Sequence, residues 1–195
     1  MHPEDVLTFW FGPPGSPPLA NAKRWFERDA AFDAEIAERF GELVRRAGSG
    51  ELEAWRDTPT GALALVILLD QFSRNLHRDS PLAFANDPTA RDVAKDVRAR
   101  RLDRALAPVE RAFLYLPYEH AEDPALQEES VARYAELAAE APPELAEHFR
   151  ETLDYARRHR DVIARFGRFP HRNRVLGRAS TPAEIEFLKE PGSSF

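Results

Sequence analysis

Apolar residues recur at intervals of three and four along most of the chain, which is the spacing of one face of an α-helix. No stretch alternates apolar and polar residues over the length of a strand, and no Asn-Gly or Asp-Gly hairpin turn occurs. The pattern therefore predicts an all-α protein. The clearest inward face lies between residues 29 and 47 and consists of Phe32, Ile36, Phe40, Leu43 and Val44.

Capping and helix-breaking residues indicate where the helices begin and end. Asp123 before Pro124 is typical of a helix start, and Thr181 with Glu184 has the spacing of a capping box. Gly167 is a C-terminal stop signal. We expect about eight helices joined by short loops, with antiparallel hairpins among them. Their expected ranges are 3–11, 29–47, 59–77, 87–101, 108–116, 124–140, 142–166 and a last helix from residue 181.

Two local patterns give more specific expectations. The stretch from Ala62 to Leu69 is apolar all round, which predicts the most buried helix of the fold. Pro117 disfavours helical conformation at Leu116, so the preceding helix is expected to end there. The aromatic strings FWFG and KRWF near the start are interpreted as core and lid packing.

The chain of 195 residues is expected to form a single helical domain over residues 1–195, since no linker and no internal repeat is visible. Its composition, 43% hydrophobic and 31% charged, is typical of a globular protein. Because there is no cysteine, disulfides, thiolate catalysis and cysteine-based metal sites are excluded.

Charge and hydropathy exclude some classes of partner. The N-terminus has neither the basic start nor the apolar run of a signal peptide, and the longest apolar run, 62–69, is far shorter than the ~20 residues that span a bilayer. A cytoplasmic protein without membrane contact is the expectation. The net charge of −6 argues against nucleic-acid binding, which needs a basic surface.

The charges are unevenly distributed. Between Glu119 and Glu151 there are ten acidic residues, and between Arg157 and Arg178 there are eight arginines and one acid. Mutual neutralisation of two packed segments is the simplest interpretation. The alternative is that part of the arginine-rich stretch faces an anionic ligand.

Three strings are distinctive: LDQFSRNLHR, ERAFLYLPYEHAEDPALQ and RFGRFPHRNRVLGRAST. Together with FWFG, they make the chain closely resemble an uncharacterised bacterial family catalogued as domain of unknown function 924. The resemblance covers essentially the whole chain. It implies a tetratricopeptide-like superhelical array of helices and no established reaction.

The three strings also carry the candidate functional residues. In the first, Asp70, Arg74 and Arg78 share one helix face with His77, and Asn75 lies beside them. In the second, Glu119, His120 and Glu122 gather at a helix junction and are not needed for helix formation. In the third, Arg168, His171, Arg172 and Asn173 surround Pro170, next to two anchoring phenylalanines. His159 is expected to be a hydrogen-bonded core residue.

Clustered carboxylates need positive partners, and Arg74, Arg168 and Arg172 are the expected ones for Glu119 and Glu122. This requires the stretches around Arg74, His120 and Arg168 to meet in the folded protein and to leave room between them. The pocket would bind a small anionic molecule. The expected acid–base residues are Glu119, His120 and His171, and the expected ligand-binding residues are Asp70, Arg74, Asn75, Arg78, Glu122, Gln127, Arg168, Arg172 and Asn173.

Other interpretations are left open by the sequence. The polar strings can instead form closed structural salt bridges, or the helical array can serve as a protein-interaction scaffold. General acid–base or hydrolytic chemistry is one use of the pocket, so enzyme activity is an open question. No cofactor and no metal site is expected, because HExxH, Walker and dinucleotide-binding motifs are absent.

Overall fold

The computed structural model describes residues 1–194 and is helical throughout, with no strand in that range. This confirms the prediction of an all-α protein with about eight main helices. Ten α-helical segments occur: α1 (Pro3–Phe11), α2 (Ala22–Phe26), α3 (Ala30–Gly48), α4 (Pro59–Val66), α5 (Ser73–Leu76), α6 (Asp87–Ala99), α7 (Pro108–Glu119), α8 (Pro124–Glu140), α9 (Ala146–Phe166) and α10 (Pro182–Phe187). A π-helical segment (Ile67–Phe72) joins α4 to α5, and 3-10 turns lie at Glu53–Asp57, Pro81–Phe84, Leu102–Ala105, Pro143–Leu145 and Pro170–Arg172.

Backbone contacts divide the chain into two compact units. The first contains Met1–Arg78 and Leu82–Pro117, and the second contains Asp79–Pro81 and the residues from Tyr118 onward. Each unit is described separately, and the expectation of a single domain stays a prediction. No helix within residues 1–194 is both long and apolar enough to cross a membrane.

The first unit is built around α4 and the π-helical segment. All residues from Gly61 to Phe72 are buried, which confirms the expectation for the apolar stretch. Helices α1 and α6 pack against α4, and α3 packs against the π-helical segment and α5. The predicted inward face of α3 is buried from Phe32 to Val44 at every expected position. Burial of these large side chains supplies the main stabilising term.

The central helix differs from the expected continuous α-helix over 59–77. Its backbone widens into the π-helical segment, and the last α-helical turn ends at Leu76. His77 has φ −125° and ψ 37°, outside the helical region. Arg78 therefore does not continue the helix face that carries Asp70 and Arg74. The expectation of one shared helix face is therefore correct only for Asp70 and Arg74.

Helix α7 corrects the prediction of an end at Leu116. It continues through Pro117 to Glu119. Proline removes one backbone donor, but only Tyr118 and Glu119 follow it in the helix, so the cost falls on the last turn. Residues 111–119 are all buried, and this packing outweighs the local preference.

The N-terminal aromatic strings are only partly core. Trp25, in α2, is buried, and its Nε1 donates to the carbonyl of Trp10 at 2.8 Å. Phe26 is 70% exposed, so of these two aromatic residues of the KRWF string only Trp25 belongs to the core. The short helix α2 itself is not among the predicted elements, because five residues are too few to display a periodicity.

The second unit contains the α8–α9 hairpin, whose two helices pack closely along their length. The predicted end signals are confirmed: Asp123 accepts from the backbone N–H groups of Ala125 and Leu126, and Gly167 ends α9 with φ +69°. Thr181 and Glu184 form the expected capping box of α10. After α9 the chain makes the 3-10 turn Pro170–Arg172, which carries most of the third string.

Candidate functional site

The Glu122 carboxylate is bound from several sides within the second unit. It receives Nη1 and Nη2 of Arg178 at 2.6 and 2.8 Å and the backbone N–H of Phe169 at 2.8 Å. Burial alone would raise the pKa of Glu122, but these donors and the charges of Arg178 and Arg172 hold it below its ordinary value. Glu122 is therefore ionised and committed to an internal ion pair.

Arg178 is a residue that the sequence interpretation missed. Besides its two bonds to Glu122, it donates to Asn173 Oδ1 at 3.0 Å and to the carbonyl of Phe169 at 3.1 Å. Its backbone N–H also donates to the carbonyl of Asn173 at 2.8 Å. The only signal in the sequence is its place in the arginine-rich stretch, which does not distinguish it from its neighbours.

Arg172 is 7% exposed and is positioned by two contacts. Its guanidinium carbon lies 4.5 Å from the centroid of the Phe169 ring, and Nη1 donates to the carbonyl of His120 at 3.0 Å. Neither contact neutralises the positive charge of Arg172, because an aromatic ring and a backbone carbonyl carry no net charge. This charge contributes to the lowered pKa values of three groups: Glu122, His159 and His171.

Three histidines lie around Arg172, and together we call these four residues the imidazole–guanidinium cluster: His120, His159, His171 and Arg172. The ring centroids of His120 and His159 are 6.5 Å apart. The centroid of the Phe169 ring lies 5.5 Å from that of His159 and 5.7 Å from that of His171. His159 is 2% exposed, whereas His120 and His171 are half-buried.

The imidazoles of His159 and His171 are neutral at physiological pH. Burial lowers the pKa of His159 to about 3, and burial together with the charge of Arg172 lowers the pKa of His171 to about 4. His159 Nδ1 faces the carbonyl of Tyr155 at 3.0 Å, so this nitrogen carries the proton. Its 3.6 Å approach to Oε1 of Glu119 is therefore a contact of a neutral ring with a carboxylate. The expectation that His159 is a hydrogen-bonded core residue is confirmed.

Two predicted amides serve the packing of the second unit. Gln127 is fully buried, and its Nε2 donates to the carbonyls of Glu119 and Ala121 at 2.6 and 2.8 Å. It thereby satisfies carbonyls at the C-terminal end of α7. Asn173 donates to Ser180 Oγ at 3.1 Å and accepts from Arg178. Both amides bind neighbouring parts of the chain.

Arg168 is paired with an acid that the sequence interpretation treats only as a cap. Its Nε and Nη2 donate to the two oxygens of Glu184 at 2.7 and 2.9 Å. The hydrogen bonds from Arg168, with those of Thr181, lower the pKa of Glu184 to about 2. Arg168 therefore holds α10 against the turn after α9 and is not the partner of Glu119 or Glu122.

The residues of the first string lie in the first unit and form two internal ion pairs. Arg74 binds both oxygens of Asp87 at 3.1 and 3.2 Å, and its Nη1 lies 3.0 Å from Oδ1 of Asp70. Asp70 also accepts from Gln71 at 2.5 Å. Burial would lower the pKa of Arg74, but the two carboxylates raise it above its ordinary value.

The second pair joins α3 to the end of the central helix. Asn75 Nδ2 donates to Oδ1 of Asp33 at 2.7 Å, and Arg78 donates to both oxygens of the same carboxylate at 2.5 and 2.9 Å. These donors hold the pKa of Asp33 below its ordinary value against the effect of burial. Both guanidinium groups of the first string are thus bound to carboxylates of their own unit.

The structure therefore brings together Glu119, His120, Glu122, Gln127, Arg168, His171, Arg172 and Asn173 within the second unit and Asp70, Arg74, Asn75 and Arg78 within the first. The meeting of the stretches around Arg74, His120 and Arg168 stays a prediction. Mutual neutralisation of the acidic and basic segments is seen in Glu122–Arg178 and, at 4.0 Å, in Glu128–Arg160. In the described part of the chain, no three His, Asp or Glu side chains are grouped so that they could hold a metal ion.

Two shallow surface depressions lie away from these residues. One follows α9 between Glu147 and Arg158, and the other lies between the 3-10 turn Glu53–Asp57 and α6. Neither is lined by a predicted site residue. Tyr155 lines the first depression, and its ring centroid lies 4.9 Å from that of His159.

Comparison with known proteins identifies a family but no reaction. A family model described as "Bacterial protein of unknown function (DUF924)" matches residues 6–192. The structure of a protein of unknown function from Agrobacterium tumefaciens is similar, with a TM-score of 0.79 and 37% sequence identity over 96% of each chain. No protein with a curated function matches the chain. Function must therefore be argued from the residues themselves.

Proposed function

The chain belongs to this family of bacterial proteins of unknown function, and we propose from its own residues that it binds a small anionic ligand at the imidazole–guanidinium cluster. The observation that carries the proposal is the position of the Arg172 guanidinium, which is 7% exposed and stacks on the Phe169 ring that the imidazoles of His159 and His171 also contact. A phosphate or carboxylate beside Arg172 would meet a positive potential at a partly enclosed position, where screening by water is weak.

The contacts of Arg172 suit it for this role. Stacking on Phe169 and the bond to the carbonyl of His120 fix the plane of the guanidinium group. A planar guanidinium that is already held in place loses little side-chain entropy when it receives two ligand oxygens. We therefore expect the anion to bind in the plane of the Arg172 guanidinium group.

The two half-buried histidines add hydrogen-bonding and proton-transfer capacity. A neutral imidazole presents one N–H donor and one basic nitrogen, so His120 and His171 can each bind an anion or accept a proton from a ligand. Glu119, 2% exposed beside His159, is a buried carboxylate behind this surface. Acid–base catalysis by these groups is the chemical extension of the proposal.

The other predicted ligand-binding residues have structural roles in this proposal. Arg74, Arg78 and Arg168 each hold a carboxylate of their own unit through two donors. Asp70 and Asn75 belong to two of these pairs. Internal bonds of their own are made by Glu122, Gln127 and Asn173. Breaking such pairs would destabilise the protein before it altered ligand affinity.

A protein-interaction scaffold has less support. The exposed large apolar side chains of the described chain come from the N-terminus and four different elements; they are Met1, Phe26, Leu82, Tyr155 and Ile185. A groove for a partner helix or peptide would be expected to present apolar residues at regular spacing along one face. Scattered exposed residues are ordinary in monomeric proteins.

Thermal unfolding in the presence of sulfate, inorganic phosphate and acetate tests the proposal. A ligand that binds only the folded state raises the midpoint temperature, so at least one anion should stabilise the wild type above the effect of matched chloride. Arg172→Met should remove this increment, and Arg172→Lys should keep part of it. Arg174→Met is the matched control, because Arg174 follows in the same segment and its side chain is 80% exposed.

Two results would refute anion binding at Arg172. The first is a wild type that none of the three anions stabilises beyond chloride. The second is an increment that Arg172→Met retains in full, because the anion would then bind elsewhere. Loss of the increment in Arg174→Met as well would indicate a general charge effect and would also count against the proposal.

A further inference from the structure

We infer that an anion bound at the imidazole–guanidinium cluster is taken up together with one proton, which the ring of His171 carries. The inference rests on the proposed function, because it concerns the same site. It adds the regulation of that site: the affinity for the anion increases as the pH falls.

The geometry places the imidazole of His171 and the guanidinium of Arg172 around one ring. The two residues are consecutive in the 3-10 turn Pro170–Arg172. The centroid of the Phe169 ring lies 5.7 Å from that of His171 and 4.5 Å from the guanidinium carbon of Arg172. The charge of Arg172 already acts on the ring of His171, and an anion bound by Arg172 would act on the same ring with the opposite sign.

The charges that face His171 come from several elements. Arg172 belongs to its own turn, Arg178 to the loop that follows, and His120 to the end of α7, and all three oppose a positive charge on the ring. His159 of α9 lies on the other side of Phe169. Glu122 favours a positive charge, but it is already bound by Arg178 through two hydrogen bonds.

The sign of the coupling follows from these charges. Without a ligand, burial and Arg172 lower the pKa of His171 to about 4, so the ring is neutral at physiological pH. A bound anion offsets the charge of Arg172 and raises the pKa of His171 toward its ordinary value of 6.5. Between these two pKa values the complex holds a proton that the free protein lacks. The affinity for the anion therefore rises as the pH falls, by up to about tenfold per pH unit for one linked proton.

Calorimetric titration of the full chain with sulfate measures this coupling. Sulfate is the probe because it does not itself titrate between about pH 8 and 5, the range in which imidazoles gain their charge. Two buffers of different ionisation enthalpy give the number of protons taken up per sulfate, and this number should approach one at the acidic end. His171→Gln should remove the proton uptake, and its loss of sulfate affinity relative to the wild type should be largest at the acidic end of the range. His148→Gln is the control, since His148 is a half-buried histidine of α9 whose ring packs on Phe149.

The outcomes separate this inference from the proposed function. Sulfate binding without proton uptake overturns the inference and leaves the anion site in place. A pH dependence that disappears in His120→Gln and persists in His171→Gln overturns the assignment to His171. Absence of sulfate binding at every pH overturns both proposals. If His171→Gln does not fold, the ring resonance of His171 in the wild type decides by NMR: its pKa must rise with sulfate, and an unchanged pKa refutes the coupling.

Discussion

Arg178 and Glu122, separated by 56 positions in the chain, form a pair of hydrogen bonds of 2.6 and 2.8 Å between the guanidinium group and the two carboxylate oxygens. The same carboxylate accepts from the N–H of Phe169, and the same guanidinium donates to the carbonyl of that residue. The pair therefore fixes the turn after α9 against the junction of α7 and α8. Arg172 and His171 lie in this turn, so the proposed site depends on a pair that does not itself bind the ligand.

Removal of Arg178 is expected to destabilise the second unit. In Arg178→Met, Glu122 keeps its half-buried position and loses a charged partner, which should cost about 2–3 kcal/mol in the free energy of unfolding. Arg174→Met should change it by less than about 0.5 kcal/mol, because the Arg174–Asp79 pair is exposed. Urea denaturation of both variants at pH 7 measures the difference. Equal stability of the two variants would contradict the structural role of Arg178.

Glu184 should make a pH-dependent contribution to stability. Its pKa is about 2 in the folded protein, below the ordinary value of 4.5, because Arg168 and Thr181 donate to the ionised form. The stabilisation is therefore complete above the ordinary pKa and is lost as the pH falls from about 4.5 to about 2. The midpoint temperatures of the wild type and Glu184→Gln should differ at pH 7 and converge across this range. A difference that is constant with pH would show that the charge of Glu184 is not the cause.

His159 should lower the free energy of unfolding as the pH falls below 6.5, a higher pH than that at which Glu184 begins to act. Burial lowers its pKa to about 3 in the folded state, whereas the unfolded chain binds the proton near the ordinary value of 6.5. Protons thus favour the unfolded state as the pH falls from 6.5 to about 3, with a slope approaching ~1.4 kcal/mol per pH unit. In His159→Gln this part of the slope should be absent, as measured by urea denaturation from pH 7 to pH 4. An unchanged slope would mean that the ring titrates normally in the folded protein.

Gly61 is expected to be intolerant of even one added carbon. A Cβ atom there would lie 2.3 Å from the carbonyl oxygen of Trp55 and 2.8 Å from Oγ1 of Thr58, the residue that caps α4. Gly61→Ala should therefore lower the free energy of unfolding by about 1–3 kcal/mol through displacement of this backbone. Gly41→Ala is the matched control in α3. A Cβ atom there would meet Leu76 Cδ2 at 3.8 Å, an ordinary contact, so alanine should stabilise the helix by up to about 1 kcal/mol. Thermal unfolding that ranks the two variants in the opposite order would contradict this packing.

The helices were predictable because their signals are local. Asp123, Gly167 and the Thr181–Glu184 pair determine helix ends within a few residues of sequence, and the periodic face of α3 determines its inward side. The predicted end of α7 at Leu116 was wrong because it rested on the local effect of Pro117 on the residue before it. The burial of Tyr115 and Tyr118, which keeps this part of the chain helical, depends on the rest of the folded protein.

The pairing of the charged residues could not be predicted in the same way. Arg168, Arg172 and Arg178 lie in one irregular stretch, where no periodicity indicates the direction of a side chain. Their partners, Glu184 for the first and Glu122 for the last, depend on how the turn after α9 folds back. The sequence therefore identifies the right group of residues in the second unit but not which arginine holds which acid.

The π-helical segment Ile67–Phe72 determines the directions in which the side chains of the following turn, Ser73–Leu76, leave the helix axis. Its turns take more residues than α-helical turns do, so the side chains beyond Phe72 are rotated relative to those of α4. Arg74 and Asn75 reach Asp87 and Asp33 only with this rotation. Deleting one residue from the widened turn would swing both by about 100° around the helix axis. Two ion-pair networks, one of which includes Asp70 of the segment itself, thus depend on the path of the backbone through this stretch.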